Sequence, residues 1–254
     1  VKRMKVSIIT VTYNAAATIR DTIESVLSQD YPNIEHIIID GASKDNTAEI
    51  VRSYGDRIAK FVSEPDRGMY DGMNKGIQFA TGDAIAILNA DDYYMNSQVI
   101  STIVKHFEQH QVDSVFADLV YVKHDNPDKV VRYYSSASFH PGKFAYGWMP
   151  AHPTFVVKRS AFEKYGYFKT DYKIAADYEL LIRFLAIHKL SYHYIPQVLV
   201  KMRTGGASTA NLSSNWILNR EIVRGCLENG ISTNMTKVLS KYFVKVFQLV
   251  VRPA

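Results

Sequence analysis

Short apolar runs alternate with stretches of helical periodicity through the first half of the chain, and this alternation is the strongest constraint on its fold. The apolar runs lie at 6–11, 34–39, 61–62 and 84–88. Runs that lack alternating polar residues predict strands covered on both faces. The intervening helices supply that cover. The pattern therefore predicts an α/β fold with a mostly parallel, doubly wound central sheet flanked by helices.

A polar turn follows each predicted strand, and the last of these turns carries two adjacent carboxylates. Asp91 and Asp92 come shortly after the apolar run 84–88. An unpaired carboxylate is costly to bury, and open α/β sheets bind ligands beyond the carboxyl ends of their strands. The pair therefore predicts a charged ligand at this edge, of which a divalent cation that carries phosphate is the natural example.

Composition and charge narrow the class of protein without naming an activity. The 254 residues are 47% hydrophobic and 22% charged, as in a globular chain with a sizeable core. The net charge of +5 suits an anionic ligand or membrane surface, and no dense basic and aromatic patch predicts nucleic-acid binding. The single cysteine, Cys226, excludes an internal disulfide. Because we find no signal-peptide pattern and no bilayer-spanning apolar stretch, we expect a cytoplasmic location.

We expect one catalytic domain followed by a C-terminal extension. The domain covers 1–205, with a nucleotide-binding half at 1–95 and an acceptor half at 96–205, and a flexible loop with amphipathic helices follows at 206–254. The acceptor half is less regular, and its predicted elements are a strand at 113–122, a hairpin partner at 130–134, a helix at 176–188 and a strand at 192–202.

The stretch 237–252 combines an apolar and a basic helical face. Lys237, Lys241 and Lys245 form the basic face, and no acidic residue follows Glu228. This pattern is typical of a helix that lies on an anionic membrane surface. A terminal helix packed on the domain or on a second subunit has the same periodicity, so the sequence leaves both alternatives open, and with them the oligomeric state.

Several short pieces, taken together and in order, resemble family 2 glycosyltransferases of the GT-A fold, in particular those of bacterial surface-polysaccharide clusters. The pieces are SIITVTYN at 7–14, DGASKDNT at 40–47, EPDRGMYD at 64–71, NKG at 74–76, GD at 82–83, LNADD at 88–92 and ADYEL at 176–180. The resemblance covers about residues 4 to 200. It implies a GT-A sheet and transfer of a hexosyl or N-acetylhexosaminyl group.

The resemblance implies a nucleotide-diphosphate sugar as donor, with a UDP-sugar expected. The implied nucleotide-binding residues are Thr10, Tyr13, Asp40, Arg67, Asn74, Asn89 and Ala90. In such enzymes the carboxylate at Asp40 accepts a hydrogen bond from the base, Tyr13 packs on its ring, and Arg67 donates to phosphate or base. From the residues alone, Asp40 also suits a helix cap, and Arg67 suits an ion pair with Glu64 or Asp66.

The resemblance also implies a divalent cation, Mg²⁺ or Mn²⁺, bound by Asp91. The first acidic position of the family's Asp-x-Asp motif is Asn89 here, which is a departure from the pattern. An amide can bind the ribose or a metal-bound water but adds no charge. Asp92 is expected to support the site or to contact the donor sugar.

Asp177 matches the catalytic aspartate of the family, and the residue before it, Ala176, departs from the usual acidic one. The resemblance makes Asp177 the base that takes a proton from the acceptor hydroxyl in a single inverting displacement. At the start of a predicted helix, an aspartate also suits a simple N-cap.

Three further positions are expected near the two sugars and the diphosphate. His152 and Trp148 are candidates for contacts with donor or acceptor sugar, although either side chain also suits a structural role. Arg203 to Ser208 resembles the glycine-containing loop that closes over the diphosphate in this family, and its glycines permit hinge motion.

The sequence is thus interpreted as an inverting, metal-dependent glycosyltransferase. It would act on a lipid-linked glycan acceptor at the inner face of the plasma membrane, with 237–252 as a peripheral contact. A sugar nucleotidyltransferase is disfavoured, because that class needs a glycine-rich basic loop after the first strand and this chain has Thr12-Tyr13-Asn14-Ala15 there. A degenerate domain that binds nucleotide or glycan without turnover is supported only by Asn89 and Ala176.

Overall fold

The computed structural model describes residues 3–205 and 212–242. Within them the strands are β1 (Val6–Thr12), β2 (Ile34–Asp40), β3 (Lys60–Ser63), β4 (Ala84–Ile87), β5 (Tyr93–Tyr94), β6 (Ser114–Val122), β7 (Val130–Tyr134), β8 (Val156–Lys158) and β9 (Tyr192–Arg203). The α-helices are α1 (Ile19–Leu27), α2 (Thr47–Arg52), α3 (Met69–Phe79), α4 (Val99–His110), α5 (Arg159–Tyr165), α6 (Ala176–Leu181), α7 (Leu212–Glu228) and α8 (Met235–Leu239).

The strands of the described residues form one sheet in the order β3-β2-β1-β4-β8-β6-β9-β5, with β7 paired to β6. The first four strands in this order, β3, β2, β1 and β4, are parallel to one another. Beyond them β8 runs antiparallel to both β4 and β6, and β6 and β9 are parallel. The predicted α/β architecture is confirmed, with a parallel first half and a mixed second half.

Strand β1 is buried along its whole length because helices cover both faces of the sheet. Ile9 faces the cluster that includes Met73 and Ile77 of α3. Ile8 faces the opposite cluster, which includes residues of α4. Gly76 of α3 lets the helix lie against β1, since an added methyl group would overlap the Ile9 side chain. The parallel strands therefore end together at one edge.

The predicted helix 176–188 begins and ends close to expectation but changes its winding. It is α-helical to Leu181 and π-helical over Ile182–Ile187. In the wider turn the His188 amide donates to the Arg183 carbonyl at 2.8 Å. π-Helical turns are rare and concentrate at functional sites.

The C-terminal helices share the core that packs on the sheet. Ile222 and Cys226 of α7 and Val238 of α8 are buried in the cluster that contains Ile9. The side chain of Asn234 accepts a hydrogen bond from the Lys237 amide and so caps α8. No helix within the described ranges is both long and apolar enough to cross a membrane. Ser208 and most of the predicted basic helix lie outside the described residues.

Candidate active site

The turn after β2 holds the Asp40 carboxylate at the carboxyl edge of the sheet. Asp40 is fully buried. Its Oδ2 accepts hydrogen bonds from the Ser43 amide at 3.1 Å and the Ser63 hydroxyl at 2.6 Å, and its Oδ1 accepts one from the Ser43 hydroxyl. The carboxylate thus caps its own turn, as the sequence allowed, and is at the same time fixed where the parallel strands end.

The end of β1 brings Tyr13 to the surface beside that turn. Tyr13 is 59% exposed, which leaves its ring free to stack on a ligand. Thr12 pairs with Asp40 in the strand register, and its hydroxyl is buried without a hydrogen-bond partner among the described residues. Thr10 lies one repeat deeper, with its hydroxyl 3.0 Å from Nε2 of His36. Strand alternation places Thr12, which sequence reasoning missed, on the Asp40 face.

The segment before α3 folds over the same turn. The Asp66 carboxylate accepts a hydrogen bond from the Gly68 amide at 2.9 Å, and it lies so close to Gly41 that a Cβ there would be 2.8 Å from Oδ2. The Arg67 side chain is 79% exposed and pairs with Asp71 at 2.8 Å, rather than with Glu64 or Asp66. The exposed guanidinium is available to an anionic ligand, and Asp66 joins the site unforeseen.

Asn74 joins α3 to the segment that precedes α6. Its Nδ2 donates to the Phe168 carbonyl at 2.9 Å, and its Oδ1 accepts from the Phe168 amide at 3.0 Å. Both ends of the side-chain amide are therefore engaged by the backbone of a buried residue. In the structure Asn74 therefore joins α3 to the backbone of Phe168, and its contact with a nucleotide stays a prediction.

The turn after β4 contains buried oxygen atoms without partners. Asp92 is fully buried, and its Oδ1 and that of Asn89 have no hydrogen-bond partner among the described residues. Burial raises the pKa of Asp92 well above its ordinary value, and the neighbouring Asp91 raises it further. Burial likewise raises the pKa of Asp91, against the opposing effect of Arg203 and His124. A cation would relieve this uncompensated charge.

The donor set of this turn fits a hard divalent cation. The Asp91 carboxylate and the unpaired Oδ1 atoms of Asn89 and Asp92 are oxygen ligands, which Mg²⁺ and Mn²⁺ prefer. Ala90 is buried in a cluster with Ile19 and Ile23 of α1, so its side chain anchors the turn.

The Arg203 side chain binds the backbone of the Asp91 turn. Only 4% exposed, it donates to the Asp91 carbonyl at 2.9 Å and forms an ion pair with Asp21. Its guanidinium lies 4.8 Å from the ring centre of Tyr93. Arg203 therefore positions the acidic turn from the end of β9, where the predicted loop begins.

Asp177 lies at the start of α6 beside a histidine and a tyrosine. Its Oδ2 is 3.9 Å from Nδ1 of His152, and its Oδ1 accepts from the Tyr178 amide at 2.8 Å and lies 3.5 Å from the Tyr70 hydroxyl. Burial raises the pKa of Asp177, with His152 opposing the shift. Burial lowers the pKa of His152, against the effect of Asp177. The pair thus combines a strengthened carboxylate base with a neutral imidazole at pH 7.

Asp92 and Asp177 border one region although 85 positions separate them in the sequence. Burial raises the pKa of Tyr121, and the Asp92 and Asp177 carboxylates both add to the rise. Arg132 of β7 lies with its guanidinium 4.2 Å from the Tyr121 ring centre, and its Nε is buried without a partner among the described residues. Arg132 is a third candidate that the sequence missed, since only its place in a hairpin could have indicated it.

Trp148 forms part of an aromatic wall next to this region. Its ring centre lies 6.4 Å from that of Tyr134, whose hydroxyl donates to the Met149 carbonyl at 2.8 Å. Burial raises the pKa of Tyr134, and Asp177 contributes to the rise. Trp148 is half-buried, so it combines a packed face with a face available to a sugar.

Glu221 of α7 fixes the backbone that leads into α6. Its carboxylate accepts hydrogen bonds from the amides of Lys173 at 2.7 Å and of Ile174 and Ala175 at 2.9 Å each. These amides lie just before Asp177. Glu221 was not foreseen, because nothing in the sequence relates α7 to this turn.

Comparison with known proteins gives a consistent result. The profile of Glycosyl transferase family 2 matches residues 7–166. An uncharacterized glycosyltransferase of Rickettsia typhi is 30% identical over 244 residues, which cover 91% of this chain and 73% of the relative. A PGL/p-HBAD biosynthesis glycosyltransferase of Mycobacterium tuberculosis strain H37Rv is 23% identical, with 86% and 82% covered.

Solved structures share the fold at lower identity. S. aureus TarS superimposes with a TM-score of 0.68 at 18% identity over 94% of this chain, which spans 43% of the TarS chain. A TarS fragment, 1–349, was solved with UDP-GlcNAc and gives a TM-score of 0.67 at 17% identity, with 88% of this chain and 67% of the fragment covered. The mannosyltransferase PcManGT of Pyrobaculum calidifontis, in complex with GDP-Man and Mn²⁺, gives 0.67 at 23% identity, with 89% and 64% covered. At these identities the likeness establishes the fold.

Proposed function

Because the chain belongs to glycosyltransferase family 2, we propose that it transfers a sugar from a nucleotide-diphosphate sugar to a hydroxyl group of a glycan, with inversion at the anomeric carbon. The observation that carries this proposal is the placement of Asp177. Its buried carboxylate has a raised pKa, stands next to a neutral histidine and borders the region reached by Asp92. Such a carboxylate suits a general base for an acceptor hydroxyl.

The donor is proposed to be a UDP-sugar bound at the carboxyl edge of the parallel strands. Asp40 and Tyr13 are the residues proposed to contact the base, and the unpaired Thr12 hydroxyl supplies one more polar group. Arg67 is proposed to donate to a phosphate, and the exposure of its guanidinium supports this role. The complexes of TarS with UDP-GlcNAc and of PcManGT with GDP-Man support a nucleotide-sugar donor for this fold.

A divalent cation, Mg²⁺ or Mn²⁺, is proposed at the Asp91 turn. Asp91 would bind it, and the unpaired Oδ1 atoms of Asn89 and Asp92 in the same turn would be additional oxygen ligands. When bound, such a cation neutralises the diphosphate and makes it a better leaving group. The Mn²⁺ in PcManGT supports this assignment.

The reaction requires a proton acceptor, and Asp177 is proposed to fill that role. The acceptor hydroxyl loses its proton to Asp177 while its oxygen forms the new bond to the anomeric carbon, and the bond from that carbon to the diphosphate oxygen breaks. The Tyr178 amide holds the carboxylate through Oδ1 at 2.8 Å, and Tyr70 and His152 lie beside its two oxygens. Arg132 and Trp148 border the region where the acceptor would lie.

The acceptor is proposed to be a lipid-linked glycan of bacterial surface-polysaccharide biosynthesis, met at the inner face of the plasma membrane. The relative from M. tuberculosis is named for PGL/p-HBAD biosynthesis, which supports a biosynthetic role. Lys241 of the predicted basic face is buried and Val238 lies in the core, so the described start of the stretch 237–252 packs on the domain, and the peripheral contact is proposed for 243–252. Deletion of 243–254 leaves the buried Val238 in place and should weaken co-sedimentation with anionic liposomes. Equal sedimentation of both forms would refute the membrane contact.

A donor screen tests the proposed activity. Wild-type protein is incubated with UDP- and GDP-sugars and Mn²⁺, and free nucleotide diphosphate is measured by mass spectrometry with and without candidate acceptors. We expect the wild type to release nucleotide diphosphate from one donor and Asp177→Asn to release none. Nucleotide binding without release from any donor would point instead to a binding domain without turnover.

A further inference from the structure

Three histidines that the proposed reaction does not use lie together where α4 packs beside β9. His106 and His110 are separated by four positions near the end of α4, so they share one helix face, and His193 is the second residue of β9. The ring centres of His110 and His193 lie 3.6 Å apart, and those of His106 and His193 lie 5.0 Å apart. One ring nitrogen from each histidine lies within 4.8 Å of the other two.

The cluster has the chemical character of an unsatisfied ligand set. The Nδ1 atom of His106 is buried without a hydrogen-bond partner in the ranges 3–205 and 212–242. Burial lowers the pKa of His106 and of His193, and repulsion from the neighbouring histidines lowers both further, with Lys105 adding to the effect on His106. The neutral imidazole is the form of histidine that binds a metal.

We propose that His106, His110 and His193 form a binding site for a divalent transition-metal ion, with Zn²⁺ as the expected occupant. Imidazole nitrogen suits Zn²⁺, Co²⁺ and Ni²⁺, whereas Mg²⁺ prefers the oxygen ligands of the Asp91 turn. In a tetrahedral zinc site with Zn–N distances of about 2.1 Å, ligand nitrogens are about 3.4 Å apart. The three nitrogens already lie within 4.8 Å of one another, and the rings would have to leave their stacked arrangement to direct them at one ion, with a fourth position for water.

The site would join the last turn of α4 to the start of β9. Gln111 ends α4 in a left-handed conformation and its amide returns to the Phe107 carbonyl, so the two helix histidines lie on a well-defined terminus. The opposite end of β9 carries Arg203, roughly 30 Å away along an extended strand. The proposed metal is therefore separate from the Asp91 turn, and it would stabilise the fold rather than take part in transfer.

Metal titration of a tag-free protein tests the proposal. Chelator-treated wild-type protein is titrated with CoCl₂ and followed by visible absorption, and with ZnCl₂ followed by calorimetry, both without nucleotide. We expect one equivalent to bind and the melting temperature to rise. His110→Gln and His193→Gln should each weaken binding by about 100-fold, since even an outer-sphere partner of a metal ligand is worth roughly 10- to 100-fold.

Two control variants separate this site from the rest of the protein. His140→Gln, which alters another exposed histidine, and Asp91→Asn should both titrate with zinc like the wild type. The proposal is overturned if His110→Gln binds zinc as the wild type does, or if Asp91→Asn alone removes the binding. Because His110 is exposed, its variant is expected to fold and decides the question even if His193→Gln does not.

Discussion

At the scale of single residues, the candidate site is built from carboxylates that the protein itself leaves poorly compensated. Asp40 receives three hydrogen bonds, whereas Asp92 has an oxygen without a partner among the described residues. Both side chains are fully buried. The difference between them indicates that Asp92, more than Asp40, depends on a ligand to supply a missing partner.

Replacing Asp177 by Asn should lower kcat by about 10²- to 10⁴-fold, the usual contribution of a general base, while nucleotide affinity stays close to wild type. In the wild type, activity requires the ionised carboxylate. Because burial raises the pKa of Asp177 from 3.8, activity should be lost as the pH falls through a value above that of an ordinary aspartate. Steady-state kinetics against pH measure both effects. Asp56→Asn, at an exposed position, is the matched control, and full activity of Asp177→Asn would contradict the assignment.

Replacing Asp92 by Asn should stabilise the protein at neutral pH while reducing transfer. The raised pKa of Asp92 means that the folded state holds its proton more tightly than the unfolded state. Stability from this group is therefore present below the unfolded pKa and is lost as the pH rises through the folded one. We expect a gain of about 1 kcal/mol or more above that range, the scale of an unpaired buried group, and none in acid.

Denaturant unfolding at several pH values measures this gain. Asp40→Asn is the matched control, because that carboxylate is satisfied by donors and its replacement should destabilise the fold. Destabilisation by Asp92→Asn at every pH would show that its charge is compensated in a way the described residues do not reveal.

At the scale of elements, Asp177 depends on a helix that the sequence assigned to a separate extension. Glu221 of α7 binds three consecutive amides ahead of α6, so α7 fixes the start of the helix that presents Asp177. The sequence predicted amphipathic helices within 206–254, but helical periodicity carries no information on which loop a helix will contact.

Glu221→Gln should therefore lower kcat by about tenfold with little change in donor KM, since misplacement of a catalytic group by as little as about 1 Å is costly. The amide has one acceptor oxygen in place of two and brings an N–H₂ group against backbone donors. Steady-state kinetics and thermal unfolding measure the effect. Glu228→Gln, on the same helix and paired with Lys169 and Arg224 on a more exposed face, should leave kcat unchanged. Equal kinetic effects of the two variants would refute a positioning role.

Asn74→Ala should destabilise the protein by about 1–3 kcal/mol, because it leaves the amide and carbonyl of the buried Phe168 without their partner. Nucleotide affinity should change little once the protein is folded at the assay temperature. Chemical denaturation and nucleotide titration separate the two effects. A large loss of affinity at unchanged stability would instead favour the direct nucleotide contact implied by the family resemblance.

The sequence predicted the strands and helices of residues 1–90 because continuous apolar runs and helical spacing are local signals, but it did not predict α4. It also predicted that Asp40 and Asp91 lie at one edge, since parallel strands end together. It missed Thr12, Asp66, Arg132 and Glu221, whose roles arise from strand register, a turn folded over Gly41, a hairpin and a helix contact. Such long-range contacts leave no periodic trace in the chain.

At the scale of the whole molecule, the predicted halves share one sheet, which continues from β4 to β8 and β6. The donor and acceptor sides are therefore not independent bodies, and the extension contributes Ile222, Cys226 and Val238 to the same core. A substitution that destabilises the core on the donor side should therefore also lower the stability of the acceptor side, through the sheet and the shared core.

Because oxygens at the Asp91 turn lack partners among the described residues, thermal unfolding can be used to detect the ligand that supplies them. Such a ligand binds only the native state. At a concentration 100 times its Kd it raises the free energy of unfolding by about 2.7 kcal/mol. UDP with Mn²⁺ should raise the melting temperature of the wild type, and Asp91→Asn should lose most of that rise; an equal rise in both would contradict the cation assignment. Differential scanning fluorimetry across a library of nucleotide sugars would then rank donors while the acceptor is still unidentified.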